Sequence, residues 1–116
     1  MKDSDVLHAA SEIVKQGHTK GAYARLPDGT LTNPGNPAAS CFCLVGSVMR
    51  ALGTESVAAA DGIVEKWVVP LIPKRHVHAN TLPGSVRGWN DSDLRKPEDV
   101  TLLLRTAVDA AMSKGE

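Results

Sequence analysis

Aromatic residues are scarce in this chain: one Phe, one Tyr and two Trp stand among 116 residues. A core with so few rings must be built from Ala, Val and Leu, and small aliphatic side chains favour close helix–helix packing over a bulky sandwich. Charge of one sign is also missing. Lys and Arg number 13, as do Asp and Glu, so the formal net charge is zero. Nothing global therefore draws the chain to nucleic acid or to an acidic membrane surface. The richest apolar runs, 41–49 and 67–72, fall far short of the roughly 20 residues that a membrane-spanning helix needs. The opening Met1-Lys2-Asp3-Ser4-Asp5 is polar and acidic, with no apolar signal-peptide core behind it, so export by that route is not expected. Cysteine is limited to Cys41 and Cys43. A bridge between such close neighbours would be strained and would cross-link almost nothing, which argues against a structural disulfide and suits a reducing cytoplasm.

What is present suffices for a fold. The apolar share, 42%, is too high for disorder, and the length suits one domain, 1–116, with a core that needs no staples. Val6, Ala9, Ala10, Ile13 and Val14 recur at helical period, which predicts a first helix to Gln16 with Ser4 or Asp3 as N-cap and Gly17 as C-cap. Residues 22–26 and 30–32 flank Pro27-Asp28-Gly29, the composition of a short β-hairpin, and Asn33-Pro34-Gly35-Asn36-Pro37 reads as a second turn. The run 40–52 is apolar nearly all round and ends at Gly53, so a buried helix with Ser40 as N-cap is expected. Gly46 in its middle costs about 1 kcal/mol against Ala, and its use is to let another backbone approach closely. Thr54 is expected to cap a third helix bounded by Pro70 and Pro73, whereas residues 71–96, with Pro83, Gly84 and Gly88, read as a long loop. Pro97 opens a last helix on whose face lie Val100, Leu103, Leu104, Ala107, Val108 and Ala111. The expected architecture is mainly α: a compact bundle of about four helices, with a hairpin after the first and a long loop before the last.

Two words stand out in that order, Cys43-Leu44-Val45-Gly46-Ser47 and Trp89-Asn90-Asp91. Preceded by the amphipathic first helix and a Gly-Ala-Tyr strand with its Asp-Gly turn, and followed by the terminal helix, they form an arrangement that resembles a domain-of-unknown-function family of actinobacteria and their phages. Ser47 stands where Ala is commoner in that family, and the stretch between Pro70 and Arg87 is more individual. The resemblance implies a compact cytoplasmic protein, in the host cytoplasm if phage-encoded, and brings no activity with it.

Four features carry possible chemistry. With Ser40 as N-cap, Cys41 and Cys43 occupy the first helical turn, where free amides and the helix dipole lower a thiol pKa. His76 or His78 can then serve as base, and Asn90 or Asp91 as orienting group, for a Cys43-dependent hydrolase or transferase. The plainer reading makes Cys43 a small buried hydrophobe. Metal is not expected, because two residues apart on a helix means about 200° around its axis, so the Cys41 and Cys43 sulfurs cannot face one ion. The scattered His8 and His18 add little. Lys74, Arg75, His76 and His78, with Arg87, Arg95 and Lys96, make the 71–96 stretch locally basic, but without interleaved rings it reads as a solvated loop. No Gly-rich loop fits a phosphate-cradling signature. Trp89, Asn90 and Asp91 read as a structural turn, in which Asn90 or Asp91 can alternatively reach the amides that start the Cys43 helix.

The leading expectation is a small non-catalytic accessory protein acting through protein contacts or self-association, as a homo-oligomer in the latter case. Trp67, Val69 and Leu71, in the run 67–73, with Lys74 and Arg75 beside them, are the candidate contact residues, unless that run merely closes the core. No cofactor, no nucleic acid and no membrane are expected.

Overall fold

A computed structural model describes residues 1–73 and 82–116, and the side chains of these apart from 82–85. The chain opens with helix α1, Asp3–Gln16, followed by three two-residue strands: β1 Ala24–Arg25, β2 Leu31–Thr32 and β3 Cys41–Phe42. Helices α2, Leu44–Leu52, and α3, Val57–Trp67, come next. A 3-10 turn over Val69–Leu71, helix α4, Leu82–Asp91, and helix α5, Pro97–Ser113, complete the order. The fold is mainly helical, as the periodicity predicts, with five α-helices among the described residues rather than about four.

The additional helix is α4, in the window that reads as a loop. Pro83 and Gly84 look like breakers, but they stand in its first turn, where a missing N–H leaves nothing unpaired. Further on, Val86, Trp89 and Asn90 are all buried, at i, i+3 and i+4. Trp89-Asn90-Asp91 is therefore the last turn of a helix and not a free-standing turn.

The run 40–52 also divides differently from its pattern. Cys41 and Phe42 form a strand, and α2 starts at Leu44 with Cys43, not Ser40, as N-cap. An all-round apolar stretch carries no period that separates a buried strand from the helix it feeds. The sheet order is β2-β1-β3, with both outer strands antiparallel to β1; Ala24 faces Thr32 on one side and Phe42 on the other. Ser56, not Thr54, caps α3 by accepting from the Ala59 N–H. At α1 the N-cap is Lys2, whose N–H donates to the Asp5 carboxylate, while Asp3 accepts the Trp67 indole N–H at 2.8 Å.

One hydrophobic cluster joins the helices, with α1 packed mainly on α5 and α2. Trp67 and Trp89 are buried in it as its two large anchors. Val68, Val69 and Ile72 are buried too, so the run after α3 closes the core. Trp67 and Val69 thus offer no exposed contact surface, and Leu71 is half-buried; Lys74 and Arg75 lie outside the described residues.

Gly46 sets where α2 meets the sheet. A Cβ there would lie 1.8 Å from the Tyr23 carbonyl oxygen, so only a glycine admits the backbone that leads into β1. The same approach lets the Cys43 N–H donate to the Tyr23 carbonyl at 3.2 Å. Gly62, inside α3, has open space around it. Gly46→Ala is expected to destabilise the fold by roughly 3 kcal/mol in urea denaturation, through overpacking against backbone that cannot give. Gly62→Ala should instead add up to about 1 kcal/mol; equal effects at the two glycines would refute the close approach.

Candidate functional site

Asn90 is 1% exposed and ties three segments together. Its Oδ1 accepts from the Leu44 N–H at 3.1 Å, so it completes the first turn of α2 from the end of α4. Its Nδ2 donates to the Thr19 carbonyl at 3.1 Å and to Asp91 Oδ1 at 2.9 Å. A backbone N–H can only donate and a carbonyl can only accept, so these partners fix which end of the amide is which. His18 Nε2 lies 2.8 Å from the same Oδ1 and must carry the hydrogen in that bond. Asp91 Oδ1 accepts in addition from the Gly21 N–H at 3.0 Å, and Lys20 Nζ donates to the Ser92 carbonyl at 2.7 Å. The segment 18–21 is thereby stitched to the end of α4.

Cys43 sits beside this network as the α2 N-cap, its Sγ accepting from the Gly46 N–H at 3.2 Å. Burial pushes its thiol up to about 11, outweighing the Gly46 and Val45 amides and the Arg87 charge, while Asp91 pushes it further up. The first-turn amides do favour the thiolate, as the sequence suggests, but desolvation is larger and reverses the sign. No histidine among the described residues hydrogen-bonds the sulfur. His18 is engaged by Asn90, and His76 and His78 lie outside the described residues. The Cys43–His–Asn constellation is thus brought together only in its Cys43, Asn90 and Asp91 members, and the histidine beside them, His18, is one that its sequence context does not single out.

Above Cys43 a cleft of about 390 Å³ runs between the hairpin and α4. Tyr23 and Leu31 border it from the hairpin, Val86, Arg87 and Asp91 from α4, and Cys43 and Val45 from α2. The Arg87 guanidinium lies 5.4 Å over the Tyr23 ring, with Nε and Nη2 both donating to the Tyr23 hydroxyl oxygen, at 3.1 and 2.7 Å. On its other side Arg87 faces Asp61 at 3.9 Å. Asp61 Oδ1 is buried without a hydrogen-bond partner, and burial raises its carboxyl pKa against the pull of Arg87, with Glu65 adding to the rise. Arg87 and Asp91 are one helical turn apart and border the same cleft, yet they form no ion pair with each other. Tyr23 and Arg87 are the residues that sequence reasoning passes over as a site: a lone Tyr and one Arg of a basic stretch give no sign of their pairing 64 residues apart.

Of the other basic groups of that stretch, Lys74, Arg75, His76 and His78 lie outside the described residues, and Arg95 is engaged within the fold. Arg95 lies 3.8 Å over the Trp89 ring and donates to the Trp89 carbonyl. Among the described residues no group of three His, Cys, Asp or Glu side chains is placed to hold a metal ion.

A model of a family described as of unknown function, DUF6197, matches residues 1–110. No curated protein and no solved structure matches the chain.

Asn90→Ala leaves the Leu44 N–H and the Thr19 carbonyl unpaired. At about 1–3 kcal/mol for each buried group it should destabilise the fold by roughly 3 kcal/mol in urea denaturation; a loss below about 1 kcal/mol would show that the network is dispensable. For Cys43 the folded thiol holds its proton more tightly than the unfolded one. The stability this contributes is complete below about pH 9 and is lost as the pH rises toward about 11. Cys43→Ser keeps a capping oxygen without that titration. The urea-denaturation stability of the variant, measured relative to the unaltered protein, should rise across this interval; a flat difference would show that burial does not govern the thiol.

Proposed function

We propose that this chain, which belongs to the DUF6197 family, is a non-catalytic accessory protein that works by protein contacts or self-association through the cleft between its hairpin and α4. The observation that carries the reading is how the reactive residue types around the cleft are used. Cys43 is a protonated helix cap, with its thiol raised to about 11. Asn90 has its oxygen and its nitrogen engaged in holding α4, α2 and the segment 18–19 together. A nucleophile needs a depressed pKa and a base within reach, and Cys43 has neither among the described residues.

What remains available to a partner is a recognition surface. Leu31 at the hairpin rim is 64% exposed, and Arg87 and Asp91 present opposite charges beside it. An exposed apolar side chain flanked by charge suits a contact with another protein chain. We take its setting to be the cytoplasm, of the host where the chain is phage-encoded, following the resemblance to an actinobacterial and phage family.

Leu31→Asp combined with Arg87→Ala tests the reading, since both residues border the cleft and neither lies in the buried core. Affinity capture from the source cell and light scattering over a range of concentrations should show a partner, or an association of the chain with itself, that the double variant loses. A strict monomer that recovers the same proteins as its double variant would overturn it. Iodoacetamide should leave Cys43 of the folded protein unmodified at pH 8; rapid alkylation there would revive the thiol-enzyme alternative.

A further inference from the structure

We infer that the cleft receives the free carboxylate end of a partner polypeptide, with Arg87 as the seat of the carboxylate and Asp91 as acceptor for a main-chain N–H; this rests on the reading of the cleft as a protein-contact surface. A guanidinium has five N–H donors in one plane. Nε and Nη2 of Arg87 donate to the Tyr23 hydroxyl, and Asp61 at 3.9 Å is too far for a hydrogen bond. Nη1 has no hydrogen-bond partner among the described residues. The Tyr23 ring and hydroxyl hold the guanidinium in place, so its unused donors are fixed before any ligand arrives. The Arg87 side chain is 35% exposed and borders the cleft.

A simple anion fits this site poorly, because Asp91 and Asp61 stand nearby. Asp91 Oδ1 already accepts two hydrogen bonds, from Gly21 and Asn90, whereas Oδ2 has no hydrogen-bond partner among the described residues. Among the described residues the cleft is therefore bordered by a residue with an unpaired donor, Arg87, and by one with an unpaired acceptor, Asp91, four positions further along α4. The end of a polypeptide carries a carboxylate, main-chain N–H groups and a side chain close together, the complement of such a pair beside an apolar lining. Leu31, Val45 and Val86 border the same space and suit an aliphatic side chain. The volume, about 390 Å³, accommodates a chain end and not a folded surface.

Isothermal titration calorimetry with three probes on the unaltered protein tests this: acetyl-Gly-Ala-Leu with a free carboxylate, the same peptide as its C-terminal amide, and free leucine. The acid should bind at least about tenfold more tightly than the amide, the size of a charge-assisted pair. Arg87→Gln should abolish the preference for the acid, and Asp91→Asn should weaken acid and amide alike. Equal binding of acid and amide, or binding of neither, overturns the inference. Free leucine binding as tightly as the peptide acid also overturns it, in favour of a small amphoteric ligand. If the double variant loses its partner while the peptide arms fail, the contact reading stands and only the chain-end assignment falls.

Discussion

The absence of a side chain at Gly46 is the constraint on which the arrangement depends. It lets the first turn of α2 press against the backbone at Tyr23, closer than any Cβ would permit. Because the helix starts there, the Cys43 N–H finds the Tyr23 carbonyl, and the Leu44 N–H points to where the end of α4 can reach it. The hairpin, the buried helix and α4 consequently meet at one place. The cleft opens beside that meeting point and is bordered by residues of all three.

Convergence of this kind leaves polar groups with nowhere to find water, and Asn90 resolves that. An amide is suited to the position because it accepts and donates from one small planar group, and the partners here require both. A carboxylate there would have no hydrogen for the Thr19 carbonyl, and an aliphatic residue would strand that carbonyl and the Leu44 N–H together. The same logic explains Cys43. As cap of a buried helix it must offer an acceptor without bringing in a charge, and a protonated thiol does so. Residue types that suggest a nucleophile and its orienting group in the sequence are thus the types needed to close a buried junction.

Legibility in the sequence follows physical scale. The stripes of α1 and α5 announce themselves because one face of each is apolar over three or more turns, and Pro27-Asp28-Gly29 announces the hairpin because few residues suit such a turn. Gly46 is readable as a close approach, since a helix interior rarely keeps a glycine otherwise, and the reach of Asn90 toward the α2 amides is one of two readings its position allows. Three features are hidden for identifiable reasons. α4 is short and carries its proline and one glycine in the first turn, where they cost little, yet locally they look like breakers. β3 has only two residues, too few for any period. The sign of the Cys43 shift depends on burial, which belongs to the assembled molecule and not to the neighbouring residues. His18 belongs to the same class, for it joins the site only because a partner 72 positions away lies against it.

The shortage of rings takes on a definite meaning once their neighbours are known. Each of the four aromatic side chains carries a cation over its face: Arg50 on Phe42, Lys66 on Trp67, Arg87 on Tyr23 and Arg95 on Trp89. Phe42, Trp67 and Trp89 are buried and Tyr23 is half-buried, so each ring is packed in the fold with a cation at its face, a contact worth about 0.5–1 kcal/mol at exposed sites and more where it is desolvated. Arg50 and Arg95 also donate to main-chain carbonyls, of Pro34 and Asn36 and of Trp89, and so act as struts between segments. Arg87 donates to a phenol hydroxyl at the edge of the cleft and faces Asp61 of α3 at 3.9 Å, while its Nη1 hydrogen-bonds no group among the described residues. Of the three arginines on rings it is the one whose fixed geometry is left open to a partner.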